Sequence, residues 1–179
     1  MEWSLNAPFT VEEAKKLRCG DTIYLSGTVY TARDAAHKKL YTLLLEDKPL
    51  PFELYNSVIY YVGPTPAKPG HVIGSAGPTT SYRMDKYAPS LLDNGLRAMI
   101  GKGKRSTDVL GSCMKNSAVY FGAVGGCGAL LSKCITSSEI IAYPELGSEC
   151  IRRLTVERMP LCVIIDTYGN CLYDMRHCT

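Results

Sequence analysis

Two glycine-bounded segments near the middle of the chain set hydroxyl groups and cations a few positions apart. The first is Gly77-Pro78-Thr79-Thr80-Ser81-Tyr82-Arg83-Met84-Asp85, and the second is Met99-Ile100-Gly101-Lys102-Gly103-Lys104-Arg105-Ser106. Each follows an apolar stretch and precedes a segment of helical composition. Backbone amides at a helix start, with a cation nearby, bind anions. Two such places on one small domain fit a ligand with two anionic ends, or with one anionic end and a reacting centre. That pattern points to dicarboxylate chemistry.

Each of these residues also has an ordinary reading. Thr79, Thr80 and Ser81 are good helix N-caps by type. Capping does not account for Gly77 and Pro78 before them, which favour a tight approach of backbone to ligand. Arg83 is expected in the first helical turn, where a cation opposes the helix dipole. Either a ligand carboxylate compensates it, or a surface acid such as Asp85 does. Lys102 is expected in a loop after a strand, which is where open α/β sheets bind ligands. The alternative is a solvated loop lysine. The GxxxxGK[ST] spacing is missing, so nucleotide binding is weakly supported. A third cluster, Arg33-Asp34-Ala35-Ala36-His37, puts Arg33 and His37 on one helix face, where they could hold a carboxylate. Alternatively Asp34 pairs with Arg33 and His37 is a satisfied surface histidine. No nucleophile–base pair and no paired carboxylates accompany these clusters, and no Lewis acid is in view. Such a set grips a small dianion but does not readily labilise a carbon–oxygen bond, which implies a partner.

The elements that must position these groups follow from the pattern. Thr10-Val11-Glu12-Glu13 is a capping box, opening a short helix expected through Arg18 and stopped by Gly20. Thr22 to Tyr30 reads as a strand and Arg33 to Leu45 as a helix. Val58 to Val62 is a short apolar strand, and the stretch Gly63 to Gly70 is too rich in turn residues for regular structure. A helix is expected from Met84 to Asp93, ending at Asn94-Gly95. Then follow a strand at Ala98–Ile100, a helix at Ser106–Lys115 and a strand at Ala118–Val124. Gly125-Gly126 open a helix from Cys127 to Ile135, and a strand covers Glu139–Tyr143. Leu161 to Asp166 reads as a continuous, buried strand, Tyr168-Gly169-Asn170 as a turn, and the tail to Thr179 as frayed. The sum is one α/β domain over residues 1–179, with a β-rich early part followed by βαβ units.

The bulk composition narrows the class. At 179 residues, with 46% apolar and 21% charged residues, a core forms without staples. A net charge of +3 from 20 basic and 17 acidic residues is too balanced for a nucleic-acid surface. No apolar run approaches the roughly 20 residues of a membrane span, and the N-terminus has no secretion pattern, so a cytoplasmic protein is expected. The eight cysteines form no CxxC pair. Cys127 and Cys134 are seven apart, but two thiols do not complete a metal site. Reduced, mostly buried thiols are expected rather than an iron–sulfur cluster held by this chain alone.

Taken in order, the motifs resemble the class I (iron–sulfur) fumarate hydratase family, at its C-terminal domain or separate beta subunit. The matching text runs from Leu25 through Arg33-Asp34-Ala35-Ala36-His37, then Tyr61-Val62-Gly63-Pro64, Gly77-Pro78-Thr79-Thr80-Ser81 with Arg83-Met84-Asp85, and Gly101-Lys102-Gly103. It continues through Ala118-Val119-Tyr120-Phe121 and Gly125-Gly126. The L-tartrate dehydratase beta subunit is similar enough that these motifs do not separate the two. The resemblance implies a swivelling β/β/α domain and dimerisation of heterodimers or of this chain. It also implies a partner alpha subunit carrying a four-iron four-sulfur cluster on three cysteines of its own, and none on this chain. By motif, Arg33 and Arg83 would bind substrate carboxylates, with Lys102, Thr80 and His37 beside them. Thr79 would be the base that takes the C3 proton of malate. A threonine hydroxyl serves as a base only where neighbouring cations stabilise the alkoxide, and Arg83 and Lys102 are the candidates. Tyr82 stands where the family often has glycine. The implied activity is reversible hydration of fumarate to L-malate. The alternatives are tartrate dehydration, or a non-catalytic dicarboxylate- or anion-binding module that regulates a partner.

Overall fold

A computed structural model describes residues 1–123 and 128–175. The glycine pair 125–126, the expected helix start at Cys127 and the tail beyond Met175 lie outside the described residues. The strands are β1 (Glu2–Ala7), β2 (Thr22–Thr31), β3 (Val58–Tyr60), β4 (Ala98–Gly101), β5 (Val119–Gly122), β6 (Ile135–Ala142) and β7 (Ile151–Ile165). The helices are α1 (Val11–Ala14), α2 (Asp34–Leu45), α3 (Ala88–Asp93), α4 (Thr107–Asn116), α5 (Gly128–Lys133) and α6 (Leu172–Met175), with 3-10 turns at Ser81–Met84 and Pro144–Glu149.

The strands form one mixed seven-stranded sheet in the order β1-β2-β3-β4-β5-β7-β6. β1 to β5 pair in parallel, whereas β7 runs antiparallel to β5, β6 and β2. The pairing of β7 with β2 returns the sheet on itself, so β2, β3, β4, β5 and β7 close a ring. Alternate residues of each ring strand face opposite sides, as strand geometry requires. Val58, Tyr60, Ala98, Ile100, Val119 and Phe121 join one buried cluster with Leu25, Val29 and Val163. Ile59, Met99 and Tyr120 face the other way and pack under the helices, against Leu40, Leu91 and Val109. Burial on both faces is why these strands read as unbroken apolar runs.

The structure changes several expected elements. The capping box at Thr10 and Glu13 is present, but α1 ends at Ala14 rather than Arg18; the Asp21 carboxylate takes the Arg18 amide at 2.9 Å. The helix expected over Met84–Asp93 is broken into the Ser81–Met84 turn and α3. Pro89 explains the break, because a continuous helix would set its ring against the carbonyl of Asp85. α5 stops at Lys133, and β6 already begins at Ile135 because that residue pairs with Val156. β7 covers fifteen residues, absorbing Val156 and Met159 into a strand expected only from Leu161. β1, not expected at all, is an edge strand laid parallel to β2. Among the described residues no helix is long and apolar enough to cross a membrane.

Candidate functional site

The carboxyl ends of β2, β3 and β4 lie side by side because these strands are parallel neighbours. Just beyond β2, Arg33 takes the N-cap position of α2 in extended conformation. Its guanidinium lies against Gly63, beyond the end of β3. Asp34, the first residue of α2, carries Arg83 with Nε to Oδ1 at 3.6 Å. Both members of that pair are about two-fifths exposed, so it contributes little to stability. Its consequence is local: the turn that carries Arg83 is tied to the first residue of α2, next in sequence to Arg33.

Thr79 and Lys102 meet through backbone. The amide of Thr79 donates to the Tyr61 carbonyl at 2.7 Å, and Tyr61 donates to Ile100 at 2.8 Å. Pro78 bridges Val62, and Thr80 bridges Lys102 in parallel register. The segment 78–81 therefore extends the sheet past the ends of β3 and β4. Ser81, fully buried, fixes it: Oγ accepts the Lys102 amide at 3.0 Å and the Tyr120 hydroxyl at 2.9 Å. Gly101 is required here, since a Cβ would come within 1.9 Å of Ser81 Oγ. Gly103 turns the chain away with φ of 85°. Thr80 occupies the cap position of the 3-10 turn but its hydroxyl makes no capping bond. Thr79 and Thr80 are half-buried and Lys102 is exposed.

Beneath this surface sits a cation that no local pattern marks. Arg105, written among exposed lysines, has a completely buried side chain. Its Nε donates to Asp85 Oδ1 at 2.6 Å, while Oδ2 accepts the Ser106 amide at 2.6 Å. The guanidinium also lies near the Tyr61 and Tyr120 rings, at 5.2 and 4.9 Å. Asp85 thus serves Arg105, not Arg83. Arg83 is the third residue of a four-residue 3-10 turn rather than the opening of a longer helix, so the dipole conflict expected for it does not arise. The signal for the Asp85–Arg105 pair is long-range and absent from local pattern.

His37 lies in the core rather than on the surface, with no exposed area. Its Nδ1 is 2.9 Å from the Arg33 carbonyl. A carbonyl only accepts, so Nδ1 carries the proton, and the buried Nε2 has no hydrogen-bond partner among the described residues. Burial pushes its pKa down to about 4; the Arg33 bond acts the other way, and the Arg105 charge adds to the fall. His37 thus holds the backbone of Arg33 from within the core. Arg33, Thr79, Thr80 and Lys102 follow the neighbouring carboxyl ends of β2, β3 and β4, a rim to which the Arg83 turn is joined through Asp34.

Among the described residues, no three His, Cys, Asp or Glu side chains come together as a metal site needs. Cys113, Cys150 and Cys171 are buried, and Cys19, Cys134 and Cys162 are half-buried. Burial, with Asp166 nearby, pushes the Cys19 thiol up to about 12, so it holds its proton.

The sequence model of the family described as "Fumarase C-terminus" matches residues 1–176. Fumarate hydratase 2 of Leishmania major is 38% identical over 157 residues, covering 87% of this chain and 28% of its own length. The anaerobic class I fumarate hydratase of Escherichia coli K12 is 41% identical over 148 residues, covering 82% of this chain and 27% of its own. The putative L(+)-tartrate dehydratase subunit beta of Methanocaldococcus jannaschii is 37% identical over 180 residues, covering 97% and 92%. The chain thus spans little more than a quarter of the first two proteins and nearly all of the third.

Proposed function

The chain belongs to the fumarase C-terminus family, and from that premise we propose that it is the beta subunit of a hydro-lyase acting on a small dicarboxylate, with fumarate and L-malate as the leading pair. One observation supports the reading: the Thr80–Lys102 bridge and the Asp34–Arg83 pair tie the segments carrying Thr79, Arg83 and Lys102 to the neighbouring ends of β2, β3 and β4, where Arg33 also stands. Cations spread along a rim suit a substrate with two carboxylates. The match to most of a subunit designated beta, in M. jannaschii, supports a separate partner chain.

In this reading Arg33 and Arg83 bind the two carboxylates. Thr79 takes the proton from C3 of malate, and Lys102, with Arg83, lowers the cost of the alkoxide. The reading places a four-iron four-sulfur cluster on the partner, as the family resemblance implies. Bound there, it would supply the Lewis acidity that these residues lack. The swivelling β/β/α assignment, dimerisation and a cytoplasmic location belong to the same reading.

The test is co-expression with a cluster-bearing subunit and assay of fumarate hydration. Turnover in the assembled complex, with none for either chain alone, supports the proposal. A complex that binds dicarboxylates without turning them over contradicts it and leaves a regulatory module. Tartrate is the second substrate to assay, because the M. jannaschii match covers both chains almost fully; faster turnover of tartrate than of malate would reassign the substrate.

A further inference from the structure

Glu149 is a residue that no motif singled out, yet it stands beside Arg33. It closes the 3-10 turn Pro144–Glu149, whose course is set by two left-handed positions, Tyr143 (φ 55°) and Gly147 (φ 59°). The turn is held against α2 by Lys39, which pairs with Glu145 at 3.3 Å and lies 4.7 Å from the Tyr143 ring centroid. This brings Glu149 Oε1 to 3.8 Å from Arg33 Nε. Both atoms are buried, and neither has a hydrogen-bond partner among the described residues. The pair is close enough for charge attraction and about an ångström short of a hydrogen bond.

A guanidinium offers three edges, and two are taken here. Gly63 flanks the edge made by Cδ and Nη1: a Cβ at that position would lie 2.9 and 2.4 Å from those atoms. Glu149 faces the Nε edge. The end edge, Nη1 with Nη2, can bind a carboxylate through two parallel bonds. From behind, His37 holds the Arg33 carbonyl with both its amide, at 2.8 Å, and its Nδ1.

We propose that Glu149 is a positioning residue for Arg33: its carboxylate fixes the Nε edge so that the end edge of the guanidinium is presented to a substrate carboxylate. This rests on the reading of Arg33 as a substrate-binding cation. A mobile arginine must be ordered at each binding event, whereas one already held loses less freedom. The loss of Glu149 acts on substrate affinity and leaves the proton-transfer residues in place.

The experiment has two arms. In the assembled enzyme, Glu149→Ala raises the KM for malate about tenfold while kcat stays within about threefold. Glu149→Gln, which keeps an oxygen of the same reach but not the charge, raises KM by less than Glu149→Ala does, with kcat again within about threefold of the parent. An unchanged KM in Glu149→Ala, in an enzyme where Arg33→Lys raises KM, overturns the proposal. In the second arm, nitrogen-15 NMR of the full chain follows the Arg33 Nε–H signal, assigned by its loss in Arg33→Lys. Glu149→Ala shifts that signal and speeds its exchange with water; an unmoved signal overturns the proposal. If no complex turns over a dicarboxylate, the functional reading falls, while this second arm still decides the link between Glu149 and Arg33.

Discussion

Ser81 and Lys102 are tied to each other twice. The Ser81 amide donates to the Lys102 carbonyl at 3.0 Å, and the Lys102 amide donates to Ser81 Oγ at 3.0 Å. Ser81 is fully buried while the Lys102 side chain reaches solvent. The serine is therefore the fixed side of a joint whose other side carries chemistry, and it sets where Thr79 and Thr80 stand relative to the lysine.

Ser81→Ala removes the acceptor of both the Lys102 amide and the Tyr120 hydroxyl. The Tyr120 hydroxyl keeps the Gly103 carbonyl at 3.0 Å, so the Lys102 amide bears the loss, at about 1–3 kcal/mol. Urea denaturation is expected to show a lower midpoint with an unchanged slope. In the assembled enzyme kcat falls with it, because the Thr79–Lys102 spacing is no longer fixed. An unchanged midpoint would show that Ser81 does not hold the joint.

The pair beneath the rim gives a second expectation. Asp85→Ala leaves the buried Arg105 guanidinium without its carboxylate and is expected to destabilise by about 3–5 kcal/mol. Adding Arg105→Met, which removes the stranded charge, is expected to restore part of that loss. Denaturation of the two single variants and the double variant gives the coupling directly. Additive losses would contradict the pairing.

His37 makes stability depend on pH. Its folded pKa, pushed down to about 4 by burial, lies below the unfolded value of about 6.5. Between these values the unfolded chain binds the extra proton, so acid favours unfolding. The contribution is intact above about pH 6.5, fades as pH falls, and levels off below about pH 4, for a total of about 3 kcal/mol. Unfolding free energies at pH 7 and pH 5 are expected to differ less in His37→Gln than in the parent. Equal differences would contradict a buried neutral imidazole.

Arg33 and Arg83 are not equivalent. The Arg33 side chain is 24% exposed and held on two edges, whereas that of Arg83 is 41% exposed and meets Asp34 at 3.6 Å. Lysine cannot reproduce the fork of a guanidinium. Arg33→Lys is therefore expected to raise the KM for malate more than Arg83→Lys does. Steady-state kinetics of both variants in the complex decides the order, and the reverse order would contradict the cradle around Arg33.

Local pattern singled out candidate groups more readily than the neighbours that hold them. The strands at Val58, Ala98 and Val119 were legible because burial on both faces leaves continuous apolar runs, and that at Thr22 because its β-branched and aromatic residues alternate. Ser106 was legible as the start of α4, where its hydroxyl accepts the Val109 amide at 3.3 Å. Thr79, Arg83, Lys102 and Arg33 stood out because glycines and hydroxyls flank them. β1 was not legible: Ser4 and Asn6 dilute its apolar positions, and its partner is twenty residues away. The ring closure between β2 and β7 joins residues about 130 positions apart, which no local window contains. The burial of Arg105 depends on Asp85, that of His37 on Tyr61 and Tyr87, and the position of Glu149 on α2. In each case the deciding neighbour comes from a distant element, and residue type alone suggests the surface.

The central claim is that Thr79 moves the proton while this chain's cations hold the substrate. Its most direct measurement is steady-state turnover of malate by the complex carrying Thr79→Ala, compared with the parent complex. A loss in kcat of about 10²–10⁴-fold, with KM within a few-fold, is the expected result. A kcat close to that of the parent would contradict it.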